Sequence, residues 1–251
     1  MNIVWESENR FHIGDTRFRA FKLGMNQQQS TLEQFVFQKP REMIERYASL
    51  IAEDAPQHIF ELGIWRGGSP VFLQKLAGAE KVVSVDLSEE RIAVLDEYRR
   101  LNGLEHALRP YYGVDQADQA ALRTILAQEF ESTALDLVID DASHFLDETR
   151  TSFNTLFPAM RPGGKYVIED WSWAHDPLEK ADDSPGFYPE REPLTRLLFE
   201  LLLACGTNPG IVESIEIDHF LAVVTRGSEP LDPEAFDICR CSLARGRQML
   251  R

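Results

Sequence analysis

The strongest constraint on this chain is a series of short apolar runs, most of them stopped by acids and all but the last followed by a helix-length segment. The first is I-F-E-L at 59–62, the second spans 81–85 and ends at Asp86, and a weaker one covers 107–112. Two more, at 135–139 and 165–168, end in the pairs Asp140-Asp141 and Glu169-Asp170. Apolar runs this short, bounded by polar and turn residues, fit strands buried on both faces. Between them lie helical stretches near 70–76, 92–101, 120–130 and 145–160, the second stopped by Asn102-Gly103. Parallel strands joined by helices cross over right-handedly and build a doubly wound α/β sheet. In open sheets of this kind ligands bind beyond the carboxyl ends of the strands, where these acids lie.

Past Trp171 the pattern changes. Residues 172–191 read as a long polar loop rich in Pro and Asp, and loops of that length in a compact domain are usually functional or disordered. A helix is expected over 193–203, then two strands at 211–217 and 220–225 joined by Asp218-His219, a spacing short enough for a hairpin. The expected architecture is therefore a mostly parallel, Rossmann-like seven-stranded sheet closed by a C-terminal antiparallel hairpin, over 57–227. Residues 1–56 form an N-terminal extension and first helix. Trp5, Phe11, Phe18, Phe21, Phe35 and Phe37 show no clean period there, while Met43, Ile44, Tyr47, Ala48 and Ile51 recur at helical spacing after Pro40. The extension packs on the core or serves as a lid or oligomer contact. The tail over 228–251 is expected to be a surface helix with Arg240, Arg245, Arg247 and Arg251 toward its end.

A chain of 251 residues suffices for one good core, and its 43% hydrophobic content is ordinary for a globular protein. With 41 acids against 26 bases, the net charge of -15 argues against a nucleic-acid partner and against an anionic membrane surface. A cation or a neutral polar substrate, a small molecule or an oligosaccharide, suits that field better. No basic start precedes an apolar core at the N-terminus, and no stretch approaches the roughly 20 apolar residues of a membrane span. Cys205, Cys239 and Cys241 are too few for a disulfide framework and lack partners for zinc. Free thiols fit a reducing cytoplasm.

The strand ends supply the candidate site. E-L-G-I-W-R-G-G-S follows the first strand and opens a helix, and glycine is needed where backbone turns with positive φ or approaches a ligand. Its G-x-x-x-G-G spacing is not the G-x-G-x-x-G of a dinucleotide site, which argues against a nicotinamide-dependent oxidoreductase. Asp86 is placed to accept both hydroxyls of a ribose, and Asp115 or Gln116 to meet an adenine edge. Four acids at the ends of neighbouring strands are costly to bury together unless a proton or cation neutralises them, and carboxylate oxygens are the hard ligands Mg²⁺ prefers. Successive strand residues face opposite ways, so Glu169 and Asp170 reach one ion only where strand gives way to loop. His144, three positions after Asp141, is a proton acceptor in waiting at a helix start that disfavours its protonation.

Three strand ends of this kind in succession resemble the S-adenosylmethionine (SAM) site of the class I methyltransferases. That resemblance implies Glu61, Gly63, Ile64 and Ser69 around the methionine part, Asp86 at the ribose, Asp115 and Gln116 at the adenine, and Asp140 on the methionine side. D-D-A-S-H followed by I-E-D-W is more specific, and is similar to the metal-dependent sugar O-methyltransferases of mycinamicin type. It implies Mg²⁺ ligands at Asp141, Glu169 and Asp170 and a base at His144. The W-S-W-A-H continuation is also similar to enzymes that methylate the 1-hydroxyl in methylmannose polysaccharide synthesis. Trp171, Trp173 and His175 then wall the acceptor or pack as core. The implied activity is O-methylation of a sugar hydroxyl. A metal-dependent catechol, phenol or antibiotic-sugar methyltransferase is the alternative, and a non-catalytic SAM-binding module offers no reason for D-x-x-H beside E-D. A homo-oligomer is left open.

Overall fold

The computed structural model describes residues 2–21, 28–131, 133–175 and 191–248. Most of the expected polar loop, 176–190, lies outside them. The chain divides into two compact units, Met1–Val114 and Asp115–Arg251.

The N-terminal unit begins with strands β1 (Ile3–Trp5), β2 (Arg10–Ile13), β3 (Thr16–Ala20) and β4 (Phe35–Phe37), which form a small sheet in that order. The sequence shows no clean period over these residues, yet they form strands. Side chains do alternate in and out along β2 and β3, but runs of four and five residues are too short for the period to stand out in the sequence. Phe11 stacks on Phe18 at 5.0 Å, and Phe72 meets both edge-on at 6.1 and 6.0 Å. Phe72 belongs to helix α2 (Gly68–Ala77), which follows α1 (Arg41–Asp54) and β5 (His58–Leu62). This sheet is therefore part of the unit's core. Its backbone comes so close that a Cβ on Gly68 would lie 1.9 Å from the Val36 carbonyl oxygen. Strand β6 (Lys81–Asp86), helix α3 (Ala93–Leu101) and strand β7 (Leu108–Tyr112) complete the unit, with β5, β6 and β7 paired in parallel.

The C-terminal unit runs α4 (Gln119–Phe130), β8 (Leu135–Asp140), α5 (Leu146–Leu156), β9 (Met160–Glu169), α6 (Thr195–Thr207), β10 (Val212–Ile217) and β11 (Leu221–Arg226). Strands β8 and β9 are parallel; β9, β11 and β10 follow one another antiparallel, giving the expected hairpin. The large sheet has seven strands in the order β10-β11-β9-β8-β5-β6-β7, the mostly parallel sheet with an antiparallel end that the sequence pattern implied. Glu200 of α6 is buried and takes a forked pair of bonds from Arg150 of α5 at 3.0 and 2.8 Å, so its charge is matched where it is desolvated.

The expected tail helix is reduced to one turn, α7 (Ile238–Cys241), followed by a two-residue hairpin pair. Pro230 and Pro233 interrupt the helical pattern, and the Asp232 carboxylate caps the Glu234 amide in a local turn. Phe236 then packs against Phe157, 5.9 Å between centroids. No described helix is long and apolar enough to cross a membrane.

Candidate active site

In the N-terminal unit the acids at the strand ends face inward to protein donors. Glu61, 1% exposed, lies beside Ser84 in the β5–β6 register, and the Ser84 hydroxyl donates to its Oε2 at 2.6 Å. A serine inside V-V-S-V-D was the signal for that partner. Asp86 Oδ2 accepts from the Ile64 and Trp65 amides, both at 2.9 Å, while Oδ1 accepts from the Ser88 amide at 2.9 Å. One carboxylate thus shapes the whole G-I-W-R turn. Gly63 has φ 100°, and Trp65 is held at φ 49°, a left-handed conformation costly for a bulky residue. Ile64 is buried, and Ser69 is half-buried on the first turn of α2. Gly68, in the same turn, makes room for β4.

The C-terminal unit gathers the chemistry. Asp141, His144 and Asp170, all half-buried, each offer a ligand atom, and these atoms lie within 4.8 Å of one another. Asp141 Oδ1 stands 3.8 Å from His144 Nε2. Among the described residues no other cluster of this kind occurs. Asp170 has φ 49° and His144 φ 57°, so the backbone turns left-handed at two of the three members. Each such residue costs about 1–3 kcal/mol and persists only where surrounding contacts hold it. Phe220 O receives the Asp170 amide at 3.0 Å, and the Trp173 indole N–H donates to the His144 carbonyl at 3.3 Å. Trp171 donates to Asp218 O at 2.8 Å. Both tryptophans are half-buried, and each indole N–H is directed to backbone. His175 bonds Thr195.

Glu169 ends β9 and is 1% exposed; it stands outside the three-residue cluster. The strand gives way to loop at Asp170, and of the pair Asp170 is the one within the cluster. Behind the cluster lies a buried network. Asp140, 2% exposed, accepts from Ser152 at 2.8 Å, from Tyr166 at 2.9 Å and from Gln116 Nε2 at 3.1 Å. Burial pushes its carboxyl up to about 6, against the lowering effect of the Ser152 and Tyr166 hydrogen bonds. Burial and then the Asp140 charge push the Tyr166 hydroxyl well above its ordinary range, which keeps it a donor. Asp115 is exposed and accepts from the Ala117 amide at 2.8 Å. Sequence reasoning missed Ser152 and Tyr166, although a Tyr opening the apolar run Y-V-I is a polar tip that needs a partner.

A cavity of about 290 Å³ opens at the start of α5, lined by Phe145, Leu146, Asp147, Glu148, Arg191 and Glu192. Arg191 lies over the Phe145 ring at 4.2 Å and bonds Glu148 at 2.9 Å. Phe145 adjoins His144 in the chain and packs edge-on to Trp173, with centroids 6.0 Å apart.

Residues 60–171, which hold every strand end described above, match a family model described as a methyltransferase domain. Over that stretch the chain is similar to methyltransferases, and the relatives it matches include an O-methyltransferase of mycinamicin, as D-D-A-S-H and I-E-D-W implied. Over 128 residues the chain is 35% identical to demethylmacrocin O-methyltransferase of Streptomyces fradiae, covering 45% of this chain and 31% of that protein. Over 119 residues it is 34% identical to mycinamicin VI 2''-O-methyltransferase of Micromonospora griseorubida, covering 41% of this chain and 26% of that protein. The chain thus spans less than a third of the length of either relative. Two solved structures share its fold. One is the MycE methyltransferase of the mycinamycin pathway in complex with Mg, SAH and mycinamycin VI, with a TM-score of 0.55 at 24% identity, covering 73% of this chain and 49% of that one. The other is the O-methyltransferase TomG of Streptomyces achromogenes in complex with SAM, with a TM-score of 0.52 at 15% identity, covering 76% and 82%.

Two half-buried carboxylates close together fit a small hard divalent cation with positions left for water or substrate, and the imidazole beside them fits a proton acceptor. Elsewhere in the chain, Cys239 and Cys241 offer no reactive thiolate. Burial, then the Glu200 charge, pushes the Cys239 thiol up to about 12, and burial raises Cys241 as well.

Proposed function

We propose that the protein transfers a methyl group from SAM to a sugar hydroxyl with the help of Mg²⁺. The observation that carries this reading is the Asp141–His144–Asp170 cluster at the strand ends of a methyltransferase domain. On the donor side we assign Glu61, Gly63, Ile64, Ser69, Asp86 and Asp115 to SAM. Mg²⁺ would be held by Asp141 and Asp170, with Glu169 as the third ligand that the I-E-D-W motif supplies. Geometry supports the first two, whereas Glu169 rests on the motif alone. Bound there, the ion lowers the pKa of the acceptor hydroxyl.

The remaining work belongs to the chain's own residues. His144 takes the hydroxyl proton on its imidazole as the acceptor oxygen forms a bond to the methyl carbon. The carbon–sulfur bond breaks in the same step, and S-adenosylhomocysteine leaves. Trp173 holds His144 through its carbonyl, so the base stays in place beside Asp141. Alignment of this kind supplies much of the acceleration in a one-step displacement.

The cavity beside His144 receives the acceptor. Its volume lies at the small end of ligand pockets, on the order of 300 Å³ and upward, which favours a single sugar ring over a large aglycone. Its lining of Phe145, two acids and Arg191 offers one apolar face and several hydrogen-bonding groups. The acceptor we put first is the 1-hydroxyl of a methylated mannoside in polysaccharide assembly. Labelled SAM, offered with methylmannosides, deoxysugar antibiotics and catechols in the presence of Mg²⁺, tests this choice. Label in the mannoside fraction is expected; label confined to catechol would overturn the sugar reading.

A further inference from the structure

The buried polar network behind the D-D-A-S-H turn has no part in the transfer step, yet it touches that turn at two points. Gln116, 5% exposed, stands between β7 and α4. Its Nε2 donates to both Asp140 carboxylate oxygens, at 3.1 and 3.4 Å, and to Ser152 Oγ at 3.2 Å. Its Oε1 accepts from the Ser143 backbone amide at 2.7 Å. Chemistry fixes the orientation of the carboxamide: a carboxylate only accepts and a backbone N–H only donates, so each end of Gln116 has one compatible partner. The side chain therefore bridges Asp140, which precedes Asp141, and Ser143, which precedes His144.

We propose that Gln116 is a positioning residue for His144, clamping the turn from Asp140 to Ser143 so that the imidazole stays beside Asp141 and Asp170. The inference rests on the reading of His144 as the base. It gives Gln116 and Asp140 a role different from the contacts with adenine and methionine that the strand pattern implies. His144 is the member of the turn with a left-handed backbone, at φ 57°, and a conformation of that kind is kept only by its surroundings. The Gln116 bond fixes the amide just before it, and the Trp173 bond fixes its own carbonyl. Between them, the Ser143 hydroxyl accepts from the Phe145 amide at 3.2 Å. Asp140 is anchored in turn by Tyr166 and Ser152, which tie the clamp to β9 and α5.

The experiment compares three forms of the full chain by hydrogen–deuterium exchange over residues 141–145 and by kinetics with SAM and the acceptor. Gln116→Met removes both ends of the clamp. Exchange in the turn should quicken about tenfold or more, and kcat should fall by about tenfold to a hundredfold, with the SAM Kd within about twofold of wild type. Tyr166→Phe removes a bond to the same carboxylate without touching Ser143, and should leave exchange in the turn and kcat within about twofold while lowering Tm. Unchanged exchange in Gln116→Met would overturn the clamp, as would faster exchange with kcat intact. A tenfold weaker SAM Kd with unchanged kcat would overturn it in favour of an adenine contact. Should Gln116→Met not fold, Gln116→Asn keeps the carboxamide but is one methylene too short to reach both partners; faster exchange in the turn there supports the clamp and a protected turn contradicts it. If His144→Ala kept full turnover, the base reading would fall, and the exchange data alone would decide the clamp.

Discussion

The two units treat acids at strand ends in opposite ways. In the N-terminal unit Glu61 and Asp86 direct their oxygens to protein donors, a serine hydroxyl and three backbone amides, and the result is a rigid turn. In the C-terminal unit Asp141, His144 and Asp170 bring one ligand atom each within 4.8 Å of one another. A carboxylate that accepts from neighbouring amides builds structure, whereas two carboxylates and an imidazole brought to one point can hold a cation. Under the proposed function the first unit holds part of the methyl donor, and the second holds the cation and takes the proton.

This contrast can be broken by substitution. The largest effect is expected at His144: His144→Ala should lower kcat by about 10²–10⁴-fold and leave the SAM Kd within about twofold, measured by steady-state kinetics and calorimetry. Next comes Asp170→Asn, which should weaken Mg²⁺ binding by about tenfold or more. Glu169→Gln sharpens the comparison, because its effect on a Mg²⁺ titration shows whether the motif's third ligand joins the cluster. In the other unit the changes should appear in stability and donor binding. Gly68→Ala forces a methyl group into the Val36 carbonyl and should cost about 1–3 kcal/mol in a denaturant melt. Asp86→Ala strips the Ile64 and Trp65 amides of their acceptor, and should cost about 1–3 kcal/mol while weakening SAM binding.

The large sheet was legible because its strands are continuous apolar runs and its helices carry a full period. The N-terminal sheet was not, since strands of three to five residues give too few alternations, and because its core contacts, such as Phe11 and Phe18 with Phe72, join residues far apart in the chain. The tail helix failed for a local reason, the turn set by Asp232 and the prolines around it. At the site, spacing alone brought His144 to Asp141, because residues three apart on a tight turn face one another. It placed Glu169 and Asp170 as equals, and only the backbone turn at Asp170 separates them. The Gln116 clamp was invisible in sequence. Gln116 and Asp140 are 24 residues apart, and their union depends on the placement of α4 beside α5.

The measurement that tests the central claim most directly is methyl transfer from labelled SAM to an acceptor sugar, followed with Mg²⁺ present, after chelation, and after Mg²⁺ is returned. The account predicts that chelation abolishes transfer and that Mg²⁺ restores it in the wild type but far less in Asp141→Asn. Undiminished transfer in excess chelator would contradict it.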